Sequence, residues 1–196
     1  IAKHSCQLGG GKKLIALLAL LAFLLSAPQA MFAYDFSQNG LFYDILSTED
    51  KTCEVDNCSS NLSTVVIPST VVNNGTTYTV TSIGDEAFYG YSSLTAVEIP
   101  NSVTSIGIYA FIRCTNLSQL VIGNGQETLT IQSNTFSSCP ITTLYLGRNV
   151  NDYVNFKSLE TLTIGSSVTS IGDEAFYGCS SLTSVEIPSS VTSIGS

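Results

Sequence analysis

The sequence has 196 residues, of which 44% are hydrophobic and 11% charged, and its 15 acidic against seven basic residues give a formal net charge of −8. A chain this acidic repels phosphate backbones and anionic lipid surfaces, because affinity for both rests on Lys and Arg. We therefore expect it to bind neither nucleic acid nor a membrane surface.

The N-terminal stretch carries the pattern of an export signal. Lys12-Lys13 precede an apolar run from Leu14 to Leu25, and small residues follow as far as Ala33. This is typical of a secretory signal peptide over residues 1–33, whereas a transmembrane helix needs about 18 or more apolar residues. We predict cleavage after Ala33, a secreted or cell-surface protein, and no membrane insertion of the mature chain.

Loss of this leader also removes the only histidine, His4. Without histidine, Ser-His-Asp and Cys-His catalysis are excluded, and thiols lack their usual zinc partner. Paired carboxylates, as in glycosidases, remain as an alternative, and Asp85-Glu86 and Asp173-Glu174 are the obvious pairs. Neighbouring acids at a turn are more often a cap for backbone N–H groups and a solvated charge. We therefore expect no enzyme, no metal site and no cofactor.

An internal repeat organises the rest of the chain. Val80–Gly107 and Val168–Gly195 are identical at 25 of 28 positions, and each contains a Leu-x-x-Val-x-Ile pattern. The repeat spacing is 23, measured from Ile83 to Ile106 and again from Ile171 to Ile194. A period between 20 and 29 with this pattern predicts a leucine-rich repeat solenoid, here over residues 62–196 and right-handed. About six coils are expected, starting at Leu62, Leu94, Leu117, Ile141, Leu159 and Leu182. The last stops at Ser196 without a capping segment, so we expect the sequence to be part of a longer protein.

Each coil is predicted to hold a short parallel strand, as at Val97 to Ile99, a second extended piece, as at Val103 to Ile106, and one helical turn, as at Ala110-Phe111. Like positions then stack into inward ladders that no single coil could bury alone. The ladders are Val97/Leu120/Leu144/Leu162/Val185, Ile99/Ile122/Leu146/Ile164/Ile187 and Phe88/Phe111/Phe136/Phe176.

Three segments depart from the regular coil. Residues 34–61 are predicted as an N-terminal β-hairpin cap, with two strands around Asn39-Gly40 and a third strand from Thr52 to Val55. Nine residues between Val71 and Val80 are inserted and are expected to form a small hairpin. The fourth coil, from Ile141, is short by five residues and lacks the segment with the helical turn.

The cysteines allow two interpretations. Cys114, Cys139 and Cys179 share one position in successive coils and are expected to pack as core thiols, with a Cys114–Cys139 disulfide as the alternative. Cys53 and Cys58 are the better candidates for a disulfide.

Three motifs of the repeat are distinctive: Ser102–Gly107, the Gly-Asp-Glu-Ala-Phe-Tyr-Gly of Gly172–Gly178, and Cys179-Ser-Ser-Leu-Thr. With them the chain resembles the BspA-like leucine-rich repeat family of bacterial surface proteins over about residues 62–196. It implies the solenoid fold and adhesion to host or neighbouring-cell proteins.

The outward side chains of the first strands are the candidate binding surface, because a solenoid presents such a row as an extended concave face. The predicted protein-binding residues are Glu98, Gln119, Val121, Tyr145, Thr163 and Glu186. Tyr145 is placed near the centre with Glu98 and Glu186 on either side, and the partner is expected to be a protein such as an extracellular-matrix or cell-surface protein. The alternatives are a passive spacer in a longer surface protein and the non-catalytic part of an exported enzyme.

Overall fold

The computed structural model describes residues 34–59, 61–151 and 156–196, so the predicted signal peptide at residues 1–33 and its cleavage site lie outside the described residues. Within these ranges the chain forms fourteen strands and no helix. The strands are β1 Phe36–Gln38, β2 Leu41–Ser47, β3 Thr52–Cys58, β4 Thr64–Val66, β5 Thr70–Asn73, β6 Thr76–Ile83, β7 Ala96–Ile99, β8 Ser105–Ile106, β9 Gln119–Ile122, β10 Thr130–Ile131, β11 Thr143–Leu146, β12 Thr161–Ile164, β13 Ser170–Ile171 and β14 Ser193–Ile194.

One sheet contains five parallel strands in the order β12-β11-β9-β7-β4. Like positions pair in register, as the repeat predicts, so that Leu120 pairs with Val97 on one side and Leu144 on the other. Their inward side chains are buried, and each contributes about 1.5–3 kcal/mol. The predicted ladders end at β12, because residues 183–187 form no strand and Ile187 is 43% exposed.

A second sheet of seven strands follows the order β1-β2-β3-β6-β8-β10, with β5 also paired to β6, and β13 and β14 form a separate pair. The predicted insert is confirmed as the antiparallel hairpin β5–β6, whose turn residues Asn74 and Gly75 have φ of 49° and 80°. Asn39 and Gly40 join β1 to β2 with φ of 52° and 79°. Because β3 pairs with β6, the N-terminal strands extend this sheet beyond the first coil. Their role as a cap stays a prediction.

The predicted helical turns are wrong. Four turns, which we call the Phe turns (residues 84–91, 107–114, 132–139 and 172–179), instead have left-handed backbone at two positions each. Backbone N–H groups of the first Phe turn donate to the next coil, for example Glu86 N to Ile108 O at 3.0 Å and Phe88 N to Ala110 O at 2.7 Å. A helix would direct these N–H groups to carbonyls four residues back in the same segment. The neighbouring coil supplies the partners instead.

The two aspartates predicted as caps do accept backbone N–H groups, but not those of their own turns. Asp85 Oδ1 accepts the backbone N–H of Ile108 at 2.8 Å, and Asp173 Oδ1 accepts that of Ser196 at 3.0 Å. Each acceptor therefore bonds the next coil rather than its own turn. A Cβ at Gly107 would overlap the Asp85 carboxylate, so this close approach requires glycine.

Stacked phenylalanine rings fill the core beneath the Phe turns. The ring centroids of Phe88 and Phe111 are 4.7 Å apart and those of Phe111 and Phe136 are 5.1 Å apart, with nearly parallel planes. The next ring is Phe156 of the short fourth coil, tilted by 50° at 6.0 Å from Phe136. The predicted ladder therefore needs a correction, because Phe156 stands between Phe136 and Phe176.

The short coil is held by polar side chains. Arg148 is fully buried and donates to the carbonyls of Asn101 and Pro100, both at 3.0 Å, while its Nε makes no hydrogen bond among the described residues. Burial lowers the pKa of this guanidinium. Asn149 accepts the backbone N–H of Thr169 at 2.9 Å. Asn149 replaces a backbone acceptor of the regular coils, where Thr104 N donates to Thr81 O. Arg148 links the short coil to Pro100 and Asn101.

The cysteines are core thiols. Each S–H in the shared column donates to the carbonyl of the phenylalanine one coil earlier. The pairs are Cys114 with Phe88 at 3.0 Å, Cys139 with Phe111 at 2.9 Å and Cys179 with Phe156 at 3.1 Å.

Neither expected disulfide is present in the structure, where all five cysteines of the described ranges are free. Cys53 and Cys58 lie five residues apart on the single strand β3, which separates them by about 16 Å. A disulfide requires Cα atoms within about 7 Å. Burial raises the pKa of Cys53 to about 11 and that of Cys58 to about 12, so both thiols stay protonated at neutral pH.

Candidate interaction surface

The outward side of the five-stranded sheet, which we call the strand face, carries two rows of side chains in register. One row contains Thr64, Ala96, Gln119, Thr143 and Thr161, and the other contains Val66, Glu98, Val121, Tyr145 and Thr163. Alternation along each strand directs these residues outward while their neighbours enter the core. All ten are exposed or half-buried.

The strand face brings together most of the predicted binding residues. Glu98, Val121, Tyr145 and Thr163 are consecutive members of one row, and Gln119 lies in the adjoining row. Glu186 is exposed but lies beyond β12, outside the strands of the sheet.

Tyr145 is the largest side chain of the strand face and is held in place. Its hydroxyl donates to Asn124 Oδ1 at 2.9 Å, and both groups lie over Gly165, where an added Cβ would meet them at 2.7 and 2.9 Å. The ring is half-buried, so it loses little conformational freedom on binding a partner. The repeat pattern gave no signal for Asn124, because this residue follows the strand rather than belonging to it.

Val66 is a further member of the strand face that the sequence interpretation missed. It is 60% exposed and pairs with Glu98 at the edge of the sheet. The available signal was its position in the repeat, because Val66 stands between the inward Val65 and Ile67 as Glu98 stands between Val97 and Ile99. An exposed valine beside a glutamate extends the mixed apolar and acidic character of the row towards β4.

The chemistry of this surface suits contact rather than catalysis or metal binding. Its outward side chains offer hydroxyl, amide, carboxylate, aliphatic and phenolic groups spread over five strands about 4.8 Å apart. In the described ranges, no three His, Cys, Asp or Glu side chains are grouped so that they could hold a metal ion. Nor does any helix in those ranges have the length and apolar character to span a membrane.

The sequence matches the BspA-type leucine-rich repeat family in six copies, over residues 56–154 and 151–196. The chain belongs to this family. Repeats of the BspA type stack into a solenoid, a fold that generally mediates protein–protein interaction through the surface that the stacking creates. No curated protein shows significant similarity to the chain.

The chain is also similar to solved structures of leucine-rich repeat proteins. A leucine-rich repeat protein from Bacteroides ovatus is 25% identical, with a TM-score of 0.51, over 82% of this chain and 49% of that one. A leucine-rich cell-surface protein from Faecalibacterium prausnitzii is 28% identical, with a TM-score of 0.48, over 87% of this chain and 52% of that one. The pneumococcal vaccine antigen PcpA is 20% identical, with a TM-score of 0.51, over 82% of this chain and 46% of that one. The chain therefore spans about half the length of these proteins.

Proposed function

We propose that the chain is an exported binding protein that holds another protein on its strand face. The observation that carries this proposal is the row of Glu98, Val121, Tyr145 and Thr163, which places one constrained tyrosine among small, polar and acidic side chains. Tyrosine dominates interface energetics because it offers a large rigid apolar ring with a polar tip.

The partner we propose is a protein with basic patches, such as an extracellular-matrix or cell-surface protein. Glu98 is exposed on the strand face, and the whole sequence carries 15 acidic against seven basic residues. Complementary charge accelerates association and fixes orientation, and salt weakens it. Membership of the BspA-type family and the predicted signal peptide support a surface location.

Binding of the full chain to a panel of matrix and cell-surface proteins, measured by surface plasmon resonance, tests this proposal. Tyr145→Ala is expected to weaken binding at least about tenfold, and Glu98→Lys to slow association and reduce its salt dependence. Tyr177→Ala is the matched control, because Tyr177 is 71% exposed on a Phe turn, away from the strand face.

The outcomes separate the alternatives. If binders appear and Tyr145→Ala and Glu98→Lys leave them unchanged, the strand face is not the binding surface. If the panel yields no binder, the passive spacer becomes the better interpretation.

A further inference from the structure

The second Phe turn differs from the first and the fourth at all of its outward positions. Residues 84–90 and 172–178 share the sequence Gly-Asp-Glu-Ala-Phe-Tyr-Gly, whereas residues 107–113 read Gly-Ile-Tyr-Ala-Phe-Ile-Arg. The inward alanine and phenylalanine are unchanged. The outward Asp, Glu, Tyr and Gly have become Ile108, Tyr109, Ile112 and Arg113.

These replacements place large side chains where the fold favours other residues. Tyr109 and Arg113 have left-handed backbone, with φ of 60° and 62°, and the equivalent of Arg113 in both matching turns is glycine. Ile108 and Tyr109 are 41% and 38% exposed, so their apolar surface does not fill the core. Left-handed backbone at these two positions is common to every Phe turn, so the second turn is distinguished by its side chains, above all by Arg113 where both matching turns hold glycine. A role in binding would offset the cost of this residue to the fold.

Arg113 is organised by the preceding coil. Its guanidinium donates from NH1 to the Tyr89 hydroxyl at 3.0 Å and lies 5.9 Å from the centre of the Tyr89 ring. Tyr89 is itself 45% exposed. We call Tyr89, Ile108, Tyr109, Ile112 and Arg113 the turn patch. It joins two stacked coils and contains the side-chain types, Tyr and Arg, that most often anchor interfaces.

Charge around the turn patch favours an anionic group over Arg113. The acids of the first Phe turn, Asp85 and Glu86, lie at the opposite end of that turn from Gly90, whose N–H donates to Ile112 O beside Arg113. Asp85 already bonds the backbone of Ile108. The residues at the equivalent position of the adjacent Phe turns are Gly90 and Ser138, which carry no negative charge. Among the described residues no carboxylate pairs with Arg113, whose remaining N–H donors suit a bidentate carboxylate.

We propose that the turn patch is a second binding surface, which takes a peptide segment that carries an acidic residue beside an apolar or aromatic one. The carboxylate pairs with Arg113, and the apolar side chain packs on Tyr109 and Ile108. This surface is separate from the strand face and does not depend on the function proposed for it.

Selection of a displayed library of random peptides on the full chain tests the proposal. Peptides enriched on the parent are expected to carry Asp or Glu next to an apolar residue and to bind Arg113→Gly at least about tenfold more weakly. Tyr109→Glu, which restores the residue of the matching turns, is expected to have a similar effect. Both changes introduce a residue that the same position already holds in other coils, so the melting temperature should not fall and a loss of binding cannot be attributed to unfolding.

A variant of the strand face provides the control. Tyr145→Ala should leave these peptides bound, because it alters only the strand face. Enriched peptides without acidic residues, equal binding to Arg113→Gly, or no enrichment over the Arg113→Gly variant would each overturn the proposal.

Discussion

The regular coils at residues 94–139 and the short coil at residues 141–151 keep the same stack in register by different means. The regular coils use repeated backbone bonds and the nearly parallel rings of Phe111 and Phe136, which continue the stack from Phe88 of the first coil. The short coil has lost a strand and a Phe turn, and on this side its described residues keep only the backbone bonds between Leu129 and residues 149 and 151. The side chains of Arg148 and Asn149 add bonds to earlier and later coils. A solenoid therefore tolerates a shortened coil when polar side chains supply the lost donors and acceptors.

Removal of a ring from the regular stack is expected to have the largest effect. Phe111 is fully buried between two parallel rings, so Phe111→Ala leaves a cavity and should lower the free energy of unfolding by about 3–5 kcal/mol. Chemical denaturation measures this. Thr163→Ala, on the exposed strand face, should cost less than about 0.5 kcal/mol. Similar small losses for both variants would show that Phe111 does not support the stack.

Replacement of the buried Arg148 of the short coil is expected to have the second-largest effect on stability. Arg148→Ala removes the donors to the carbonyls of Pro100 and Asn101 and opens a cavity, so we expect a loss of about 2–4 kcal/mol. Arg148→Met should cost less, because it fills most of the space and removes a buried charge. Denaturation of both variants separates packing from hydrogen bonding. A loss below about 0.5 kcal/mol for Arg148→Ala would mean that the guanidinium does not hold the coils together.

The contrast between the two regions also shows what the sequence could predict. The inward ladders as far as β12 followed directly from the repeat, since like positions in adjacent coils pair. The Phe turns were mistaken for helical turns because the choice of hydrogen-bond partner depends on the neighbouring coil, which local propensity does not describe. Phe156 was missing from the predicted ladder because it precedes Leu159 by three residues, whereas Phe111 precedes Leu117 by six.

The candidate site was predictable to the same extent. Alternation within the strands identified Glu98, Val121, Tyr145 and Thr163 as one outward row, and their pairing confirms this geometry. The contact between Tyr145 and Asn124 joins residues in different coils, and no sequence pattern predicts it. Binding by this row stays a proposal.

Asn149 provides a smaller test of the short coil. Its side chain accepts the N–H groups of Thr169 and Ser170 at 2.9 and 3.2 Å and donates to the Thr169 hydroxyl at 2.8 Å. Asn149→Ala should therefore cost about 1–2 kcal/mol. The same change at Asn116, an exposed residue of the regular coils whose amide donates to one carbonyl, should cost about 0.5 kcal/mol. Equal losses in thermal or chemical denaturation would contradict a special role for side-chain bonds in the short coil.

The smallest expected effect belongs to the other arginine of the solenoid. Arg113→Gly relieves a left-handed backbone that costs about 1–2 kcal/mol. Glycine also gives the unfolded chain more conformational entropy, which lowers the free energy of unfolding by about 0.5–1 kcal/mol. The lost contact with Tyr89 lowers it by about another 0.5–1 kcal/mol. These opposing contributions nearly cancel, so the free energy of unfolding should stay within about 0.5 kcal/mol of the parent. Since Arg148→Ala is expected to cost several times more, denaturation of the two variants side by side would distinguish an arginine that holds coils together from one that is available to bind a partner.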